Sequence, residues 1–167
     1  MFLNTSFLKN DEIFLRLDRT ADADETKKWL PAYYFTICLT DGTEVGYCDF
    51  RIGYNENTYY GGNIGYAVKP ERRGNHYALK ACRLLFELAK KHKMNYVVIT
   101  CSPENLASRK TCEYAGGTLK EIADLPADND MYLEGERKKC IYFFDLARHN
   151  ASDLLVLADA GIAKDSF

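Results

Sequence analysis

A long amphipathic helix followed at once by a short apolar strand constrains the fold of this chain most. Residues Tyr77 to Lys93 repeat small and apolar side chains at helical spacing, which predicts a helix with one buried face. The positions that carry this pattern are Ala78, Ala81, Cys82, Leu85, Leu88 and Ala89. The next segment, Tyr96 to Cys101, contains three successive apolar β-branched residues and is typical of a strand covered on both faces.

Another strand, Ile64 to Val68, is predicted immediately before the helix. Pro70 follows it, and proline cannot donate a hydrogen bond to a strand ladder, so the strand must end there. Strand, helix and buried strand together make a βαβ unit, which is right-handed in nearly all proteins. The centre of the fold is therefore predicted to hold a parallel strand pair.

The flanking segments predict antiparallel strands on both sides of this unit. Upstream strands are expected at Glu12–Asp18, Tyr33–Leu39 and Glu44–Ile52, with a type I′ hairpin turn at Asp41-Gly42. Other expected elements are a short helix within Ala21–Leu30, a loop at Gly53–Gly62, a helix at Pro103–Ala115 capped by Ser102, a loop at Ala123–Lys138 and a closing antiparallel pair at Gly117–Ile122 and Lys139–Leu146. The prediction is an α/β fold with a mixed sheet, antiparallel at the start and parallel at the centre.

The length of 167 residues suits one domain. We expect a single domain over residues 1–167, with a core at about 11–147 and a tail at 148–167. Within that tail, Leu154 to Ala163 could form a short helix.

The turn that joins the fourth strand to the long helix carries the main functional pattern. The first N–H groups of a helix lack intrahelical partners, so a turn aimed at them can bind an anion such as phosphate. Gly74 permits a close backbone approach, and Arg72 and Arg73 add positive charge. On chemistry alone, two interpretations stay open: an anion site, or a solvated basic turn.

This turn resembles the signature of the GNAT acetyltransferase superfamily, Gln/Arg-x-x-Gly-x-Gly/Ala after a strand that ends in x-Pro. Arg73 fills the first position and Ala78 the last, whereas His76 stands where the family prefers glycine. That substitution implies either a wider turn or a backbone conformation that tolerates a Cβ. The buried strand after the helix, and Asn105 with Ser108 beyond it, extend the resemblance over about residues 42–146.

The resemblance implies that the chain binds acetyl-CoA and transfers the acetyl group to an amine. The two central strands would splay apart, and the pantetheine arm would pair with their free backbone groups. The residues implied in cofactor binding are Tyr66, Ala67, Val68, Arg73, Gly74, Asn75, His76, Tyr77, Ala78, Leu79, Asn105 and Ser108. Asn105 could instead cap its own helix, and Ser108 could serve only in helix packing.

The catalytic groups are not determined by the sequence. The family often places a tyrosine acid where this chain has Cys112, and a polar base where it has Thr100. Cys112 could protonate the leaving thiolate or simply pack in the helix face, and Thr100 cannot act as a base. Weak candidates for moving the amine proton are Asp49, Glu44 and Tyr66. No acyl-enzyme is required, so Cys101 need not be a nucleophile.

The acceptor side is shorter than usual for the family, because only Thr20 to Ala32 separate the first two strands. We expect an open acceptor pocket, completed by Gly53 to Gly62, by Ala123 to Lys138, or by another subunit. Acidic residues in the last loop could attract a cationic amine or be merely solvated. Cys112 with Ser108 favours the ribosomal-protein and peptide N-terminal branch. The tail and the strand Lys139–Leu146 are possible homodimer surfaces.

Composition excludes several other classes. The formal net charge of −2 and the isoelectric point of about 5.9 argue against a general nucleic-acid binder. No apolar run approaches the roughly 20 residues that a membrane helix needs. The six cysteines form no Cys-x-x-Cys pair and the three histidines lack ligand spacing, so we expect no metal and a reducing, cytoplasmic location.

Two alternatives remain beside an active N-acetyltransferase. A non-catalytic acyl-CoA-binding or sensing module would explain Thr100 and Cys112. An unrelated α/β scaffold would leave the basic turn without a ligand.

Overall fold

The computed structural model describes residues 1–147. Seven strands and four α-helices follow in chain order, and all six cysteines are free and buried. The strands are β1 Ile13–Ala21, β2 Ala32–Leu39, β3 Glu44–Arg51, β4 Ile64–Val68, β5 Tyr96–Cys101, β6 Thr118–Asp124 and β7 Lys138–Asp145. The helices are α1 Glu56–Gly61, α2 Tyr77–Lys91, α3 Leu106–Tyr114 and α4 Asp130–Leu133, and a 3₁₀ turn spans Pro70–Arg72.

The strands form two antiparallel sheets, which refines the prediction of one mixed sheet. The first has the order β1-β2-β3-β4 and the second the order β5-β7-β6. β4 and β5 lie side by side where the sheets meet, and no ladder joins them in residues 1–147. The prediction of an α/β fold with splayed central strands is confirmed, whereas the expected continuous sheet is interrupted at this junction.

One core lies between α2 and the inner face of the first sheet. It is continuous with the buried residues of β5 and β7, so the two sheets share one apolar interior. The largest fully buried side chains are Tyr33, Tyr142, Phe35, Phe50, Phe86 and Phe144. Burying an aromatic side chain of this size stabilises the fold by about 2–3 kcal/mol.

Two predicted elements upstream of β4 are wrong. Ala21–Leu30 holds no helix, because β1 continues to Ala21 and Asp24 and Trp29 then exchange both backbone hydrogen bonds across a tight turn. Gly53–Gly62 is not only a loop, because it contains α1. Asn55 and Thr58 cap that helix reciprocally, each side chain accepting the backbone N–H of the other.

The hairpin between β2 and β3 is confirmed, but its turn type is not. Only Gly42 has a positive φ there, at 91°, and a type I′ turn needs two such residues. The carboxylate of Asp41 accepts the N–H of Thr43 at 2.9 Å, which stabilises the alternative turn.

The predicted start of α3 is also wrong by three residues. Asn105 is the N-cap, and its side chain accepts the N–H of Ser108 at 3.1 Å. Ser102, the expected cap, donates its hydroxyl to Glu136 at 2.9 Å instead. An amide oxygen is at least as good a cap as a hydroxyl, so the helix begins after Asn105.

The strand proposed as a dimer edge is interior. β7 pairs with β5 on one side and with β6 on the other, so the outer edge of the second sheet is β6. The segment Ala123–Lys138, predicted as a loop, includes the end of β6 and the short helix α4. The predicted tail helix lies outside the described residues. Within residues 1–147, no helix has both the length and the apolar character needed to cross a bilayer.

Candidate active site

Hydrogen bonds join β5 to the residue immediately before β4. The N–H of Asn63 donates to the carbonyl of Val98 at 2.6 Å, and the N–H of Val98 donates to the Asn63 side chain at 2.9 Å. Thr100 anchors this contact from β5 by donating its hydroxyl to the carbonyl of Tyr60 at 2.7 Å. Further along, β4 and β5 end in different sheets, so a gap opens between their C-terminal ends.

The backbone of β4 presents free polar groups to this gap. Gly65 and Lys69 direct their N–H groups to β3, to the Asp49 carboxylate at 3.1 Å and to the Val45 carbonyl at 2.9 Å. Because alternate residues of an antiparallel strand bond to opposite sides, Tyr66 and Val68 direct their backbone groups into the gap. The Ala67 carbonyl lies against Gly46 of β3, so it points away from the gap. Of the three β4 residues expected to contact the cofactor through their backbone, Tyr66 and Val68 are therefore the ones placed to do so.

The turn after β4 bends through two residues with positive φ. Gly74 has a φ of 88°, and His76, the N-cap of α2, has φ 60° and ψ 28°. This left-handed conformation is one that glycine adopts without cost, which accounts for the family preference for glycine at this position. Of the two alternatives raised by the sequence, the φ of His76 supports a special backbone conformation.

The start of α2 has no side-chain cap, unlike the starts of α1, α3 and α4. Asn55, Asn105 and Asn129 cap α1, α3 and α4 with their side chains, but no side chain caps α2. The carbonyl of His76 accepts its first helical bond from Lys80, so the N–H groups of Tyr77, Ala78 and Leu79 have no intrahelical partner. A 15-residue helix also places a partial positive charge there. The structure therefore offers an anion site at the turn.

Three predicted site residues meet at the open end of the gap. The hydroxyl of Tyr66 lies 2.7 Å from the Ser108 hydroxyl and 4.0 Å from the Cys112 sulfur. Burial raises the pKa of Tyr66 well above its usual value. Cys112 is fully buried, and its pKa is raised by a hydrogen bond to Cys101 and by burial. Both groups therefore stay protonated near neutral pH, and the Tyr66 hydroxyl is a hydrogen-bond donor at this end of the gap.

Asn105 and Asp49 have defined partners. The Asn105 carbonyl oxygen is used in capping α3, which leaves its amide NH₂ as the group directed elsewhere. Asp49 Oδ1 accepts from Arg51 at 2.5 Å and from the N–H of Gly65. Gly65 permits this approach, because a Cβ there would lie 3.0 Å from the carboxylate. Asp49 is thus fixed beside β4.

A family model for the acetyltransferase (GNAT) domain matches residues 5–118 of the sequence. That match covers more than half of the chain. This chain belongs to the GNAT acetyltransferase family. By class it is an acetyl-CoA-dependent N-acetyltransferase. No curated protein is significantly similar to it in sequence.

Solved GNAT structures share the fold. RimJ of Mycobacterium smegmatis, in complex with CoA-disulfide, is 22% identical with a TM-score of 0.61, covering 79% of this chain and 61% of that one. A putative ribosomal-protein-serine acetyltransferase of Vibrio cholerae is 19% identical with a TM-score of 0.53, covering 72% and 67%. Spermidine N-acetyltransferase of Vibrio cholerae, with CoA and spermine, is 11% identical with a TM-score of 0.56, covering 71% and 68%.

The GNAT chain also has a cavity of about 570 Å³, to whose lining α2 contributes no residue. Its walls come from three segments that the sequence named for the acceptor pocket: the β1–β2 connection, the α1 region and the β6–β7 connection. Residues contributing polar or aromatic groups include Asp22, Trp29, Tyr34, Arg51, Glu56, Asp128 and Asp130. A smaller cavity of about 290 Å³, lined by Asp18, Tyr47, Asp49 and Tyr66, shares Tyr34 with it.

Sequence reasoning missed Tyr34, Trp29 and Arg51 as cavity residues. No motif identifies them, because their roles arise from which strand ends and loops meet in space. Among the described residues no cluster of His, Cys, Asp or Glu is arranged to hold a metal.

Proposed function

We propose that this chain transfers an acetyl group from acetyl-CoA to a primary amine, of a small molecule or a peptide, by direct attack of the amine. The uncapped start of α2 is the observation that carries the proposal, because three shorter helices are each capped by asparagine and this one is not. A diphosphate there would complete the hydrogen bonding of the helix.

The remaining cofactor contacts follow from the gap. Backbone groups of Tyr66 and Val68 would pair with the amides of the pantetheine arm, as an added strand does. The N–H groups of Gly74, Asn75, His76, Tyr77, Ala78 and Leu79 would hold the pyrophosphate, with Arg73 adding charge. Ala78 is small and keeps the first turn open, while the Asn105 NH₂ and Ser108 line the opposite side.

The chemistry assigned to the chain has three parts. The N–H of Val68 points into the gap and would stabilise negative charge that develops on the carbonyl oxygen. The Tyr66 hydroxyl, with its raised pKa, stays protonated near neutral pH and would donate a hydrogen bond to the departing thiolate. Asp49, held by Arg51 and Gly65, would receive the amine proton directly or through water.

The acceptor would occupy the larger cavity and reach the gap past Tyr34. Tyr34 lines both cavities, and the Asp49–Arg51 ion pair joins their walls. This path puts the body of the acceptor against α1 and α4 and its amine near Asp49. The neighbours named for ribosomal-protein and spermidine acetylation support either a peptide or a small amine, and the peptide branch remains our preference from Ser108 and Cys112. The six free, buried cysteines support a reducing, cytoplasmic compartment.

Thermal melting with and without acetyl-CoA tests the cofactor site. Ligand at one hundred times its dissociation constant stabilises a protein by about 2.7 kcal/mol, which corresponds to about 5–11 °C for a chain of this size. Gly74→Val should abolish most of that shift by blocking the turn. Gly135→Val is the matched control, since Gly135 also has a positive φ, at 108°, with open space around it.

Release of free CoA with a panel of amines and N-terminal peptides tests turnover. Turnover with at least one acceptor is expected. A melting shift without turnover would favour the acyl-CoA-sensing alternative. No shift in any condition would refute the cofactor site, and with it the proposed function.

A further inference from the structure

The outer edge of the first sheet is covered only along its first part. That sheet ends at β1, and residues 8–10 of the same chain lie beside the start of this strand. The N–H of Leu15 donates to the Leu8 carbonyl at 2.9 Å, and the N–H of Asn10 donates to the Ile13 carbonyl at 2.9 Å. The beginning of β1 therefore already pairs with an added segment in the manner of a strand.

The remainder of this edge has unpaired backbone groups. Alternate residues of an antiparallel strand bond to opposite sides, so Leu17 directs its N–H and C=O outward, as Leu15 does. A register shift follows, and Thr20 is the next residue to face outward, because Arg19 takes the next position that faces β2. Within residues 1–147, no backbone hydrogen bond outside the β1–β2 ladder involves residues 16–21. The side chain of Leu17 is also 40% exposed, which is unusual for a large apolar residue of a strand.

This open part of the edge leads into the larger cavity. Ala21, the last residue of β1, lines that cavity together with Asp22. From there the cavity wall crosses the sheet strand by strand, through Ala32 of β2 and Arg51 of β3. It reaches Gly62, which lies against the backbone of β5 at the start of the gap. The edge of β1 is therefore continuous with the route to the acetyl group.

Residues 8–10 also show which way an added chain would run. They are antiparallel to β1, and a chain in that orientation has its N-terminal end beyond Ala21, in the cavity. Neighbouring strands are about 4.8 Å apart, so about 19 Å separates a strand added to β1 from β4. An extended chain rises about 3.4 Å per residue and covers this distance with about six residues. A peptide whose later residues lie on β1 thus brings its N-terminal amine to the gap.

We propose that the acceptor is the N-terminus of a polypeptide, held by a short strand that it adds to β1 at Leu17 and Thr20. The proposal rests on the proposed function and names the acceptor of that same site. Backbone hydrogen bonds at this edge hold a peptide whatever its side chains, and the added strand covers Leu17. The register shift after Leu17 limits the pairing to a few residues. A small amine has no backbone to pair with this edge and gains nothing from it.

Steady-state kinetics with acetyl-CoA and unstructured peptides test the proposal. The peptides have free N-termini, are about twelve residues long and differ in their first residue. The best substrate is also shortened from its C-terminus to about five residues, which is too short to reach β1. Shortening should raise KM about tenfold with kcat unchanged, because backbone hydrogen bonds are lost while the amine end is intact. Single N-methylation at about residues seven to ten should raise KM at alternate positions only, because one side of the added strand is paired.

A variant of β1 tests the same contact from the protein side. Leu17→Pro removes an N–H that faces outward, a position where an edge strand tolerates proline, and should raise the KM of the long peptide to that of the short one. Ile122→Pro is the matched control, because Ile122 is 46% exposed on β6, the outer edge of the other sheet. Its N–H also faces outward, since Leu125 donates to the carbonyl of Arg137 and alternates with it. Ile122→Pro should leave the KM of the long peptide unchanged, and melting with acetyl-CoA checks that each variant keeps its cofactor site.

The outcomes separate this proposal from the proposed function. Equal KM for long and short peptides, no alternation on N-methylation, or weakening by Ile122→Pro in place of Leu17→Pro would overturn the assignment to β1. Turnover of small amines alone would overturn it and leave the acetyltransferase site intact, as would a melting shift with no turnover of any peptide. The N-methylated peptides give this answer even if Leu17→Pro fails to fold. If acetyl-CoA causes no melting shift, the proposed function fails and this proposal fails with it.

Discussion

Replacing Gly62 with alanine tests how the start of the gap is held together. Gly62 has φ 83° and ψ 160°, a region that only glycine populates freely, and occupying it with another residue costs about 2 kcal/mol. A Cβ there would also lie 3.2 Å from the Thr100 nitrogen and the Val98 oxygen, both backbone atoms of β5. Such overpacking adds about 1 kcal/mol. The reduced entropy of the unfolded chain returns about 0.5 kcal/mol.

The net loss for Gly62→Ala is therefore about 2–3 kcal/mol, or roughly 5–10 °C in melting temperature. Gly61→Ala is a matched control, since Gly61 lies in α1 with nothing within 4 Å of its added Cβ. It should stabilise the protein by about 0.5 kcal/mol, because alanine is the better helix former. Urea unfolding followed by circular dichroism measures both. Equal stability of the two variants would refute the close contact between Gly62 and β5.

Three further outcomes follow from the same structure. Tyr66→Phe should lower kcat about 10²-fold in acetyl-transfer assays, with acetyl-CoA affinity unchanged by calorimetry; a loss of affinity alone would assign Tyr66 to binding. His76→Val should lower the free energy of unfolding by about 1–2 kcal/mol, since a β-branched residue fits poorly at positive φ. His76→Gly should change the free energy of unfolding by less than about 1 kcal/mol. Equal effects of the two substitutions on urea unfolding would contradict the left-handed turn. Burial lowers the pKa of His92, so its contribution to stability is complete above pH 6.5 and declines as pH falls below that value; a His92→Gln variant should lose less stability between pH 6.5 and 5, and an identical loss would dismiss His92 as the source.

The central unit of the fold was accessible from the sequence because its patterns are local. The periodicity of α2, the apolar run of β5 and Pro70 each depend on neighbours within a few residues. The α1 helix was also within reach, because Asn55-x-x-Thr58 has the spacing of a capping box. The break between the two sheets could not be predicted from the sequence. It depends on the contact between Asn63 and Val98, beyond which β4 and β5 form no ladder.

The sequence motif predicted where the cofactor turn lies. The conformation of its backbone is seen only in the structure. His76 breaks the motif, yet its backbone adopts the conformation that the missing glycine favours. The meeting of Tyr66, Ser108 and Cys112 could not be predicted, although each of the three was named singly. Tyr66 and Cys112 are 46 residues apart, and only the packing of α3 against the strand ends brings them together. The acceptor cavity could not be predicted for the same reason, because its walls come from three segments that are far apart in the sequence.

The position of β7 has a consequence for how the protein is made. β5 and β6 are neighbours along the chain but do not pair, because β7 lies between them and bonds to both. Until the ribosome has released residues 138–145, β5 has no partner strand on the side away from β4, and its backbone groups on that edge stay unpaired. The first four strands can pair during synthesis, whereas the second sheet forms only when nearly all of the described chain has emerged.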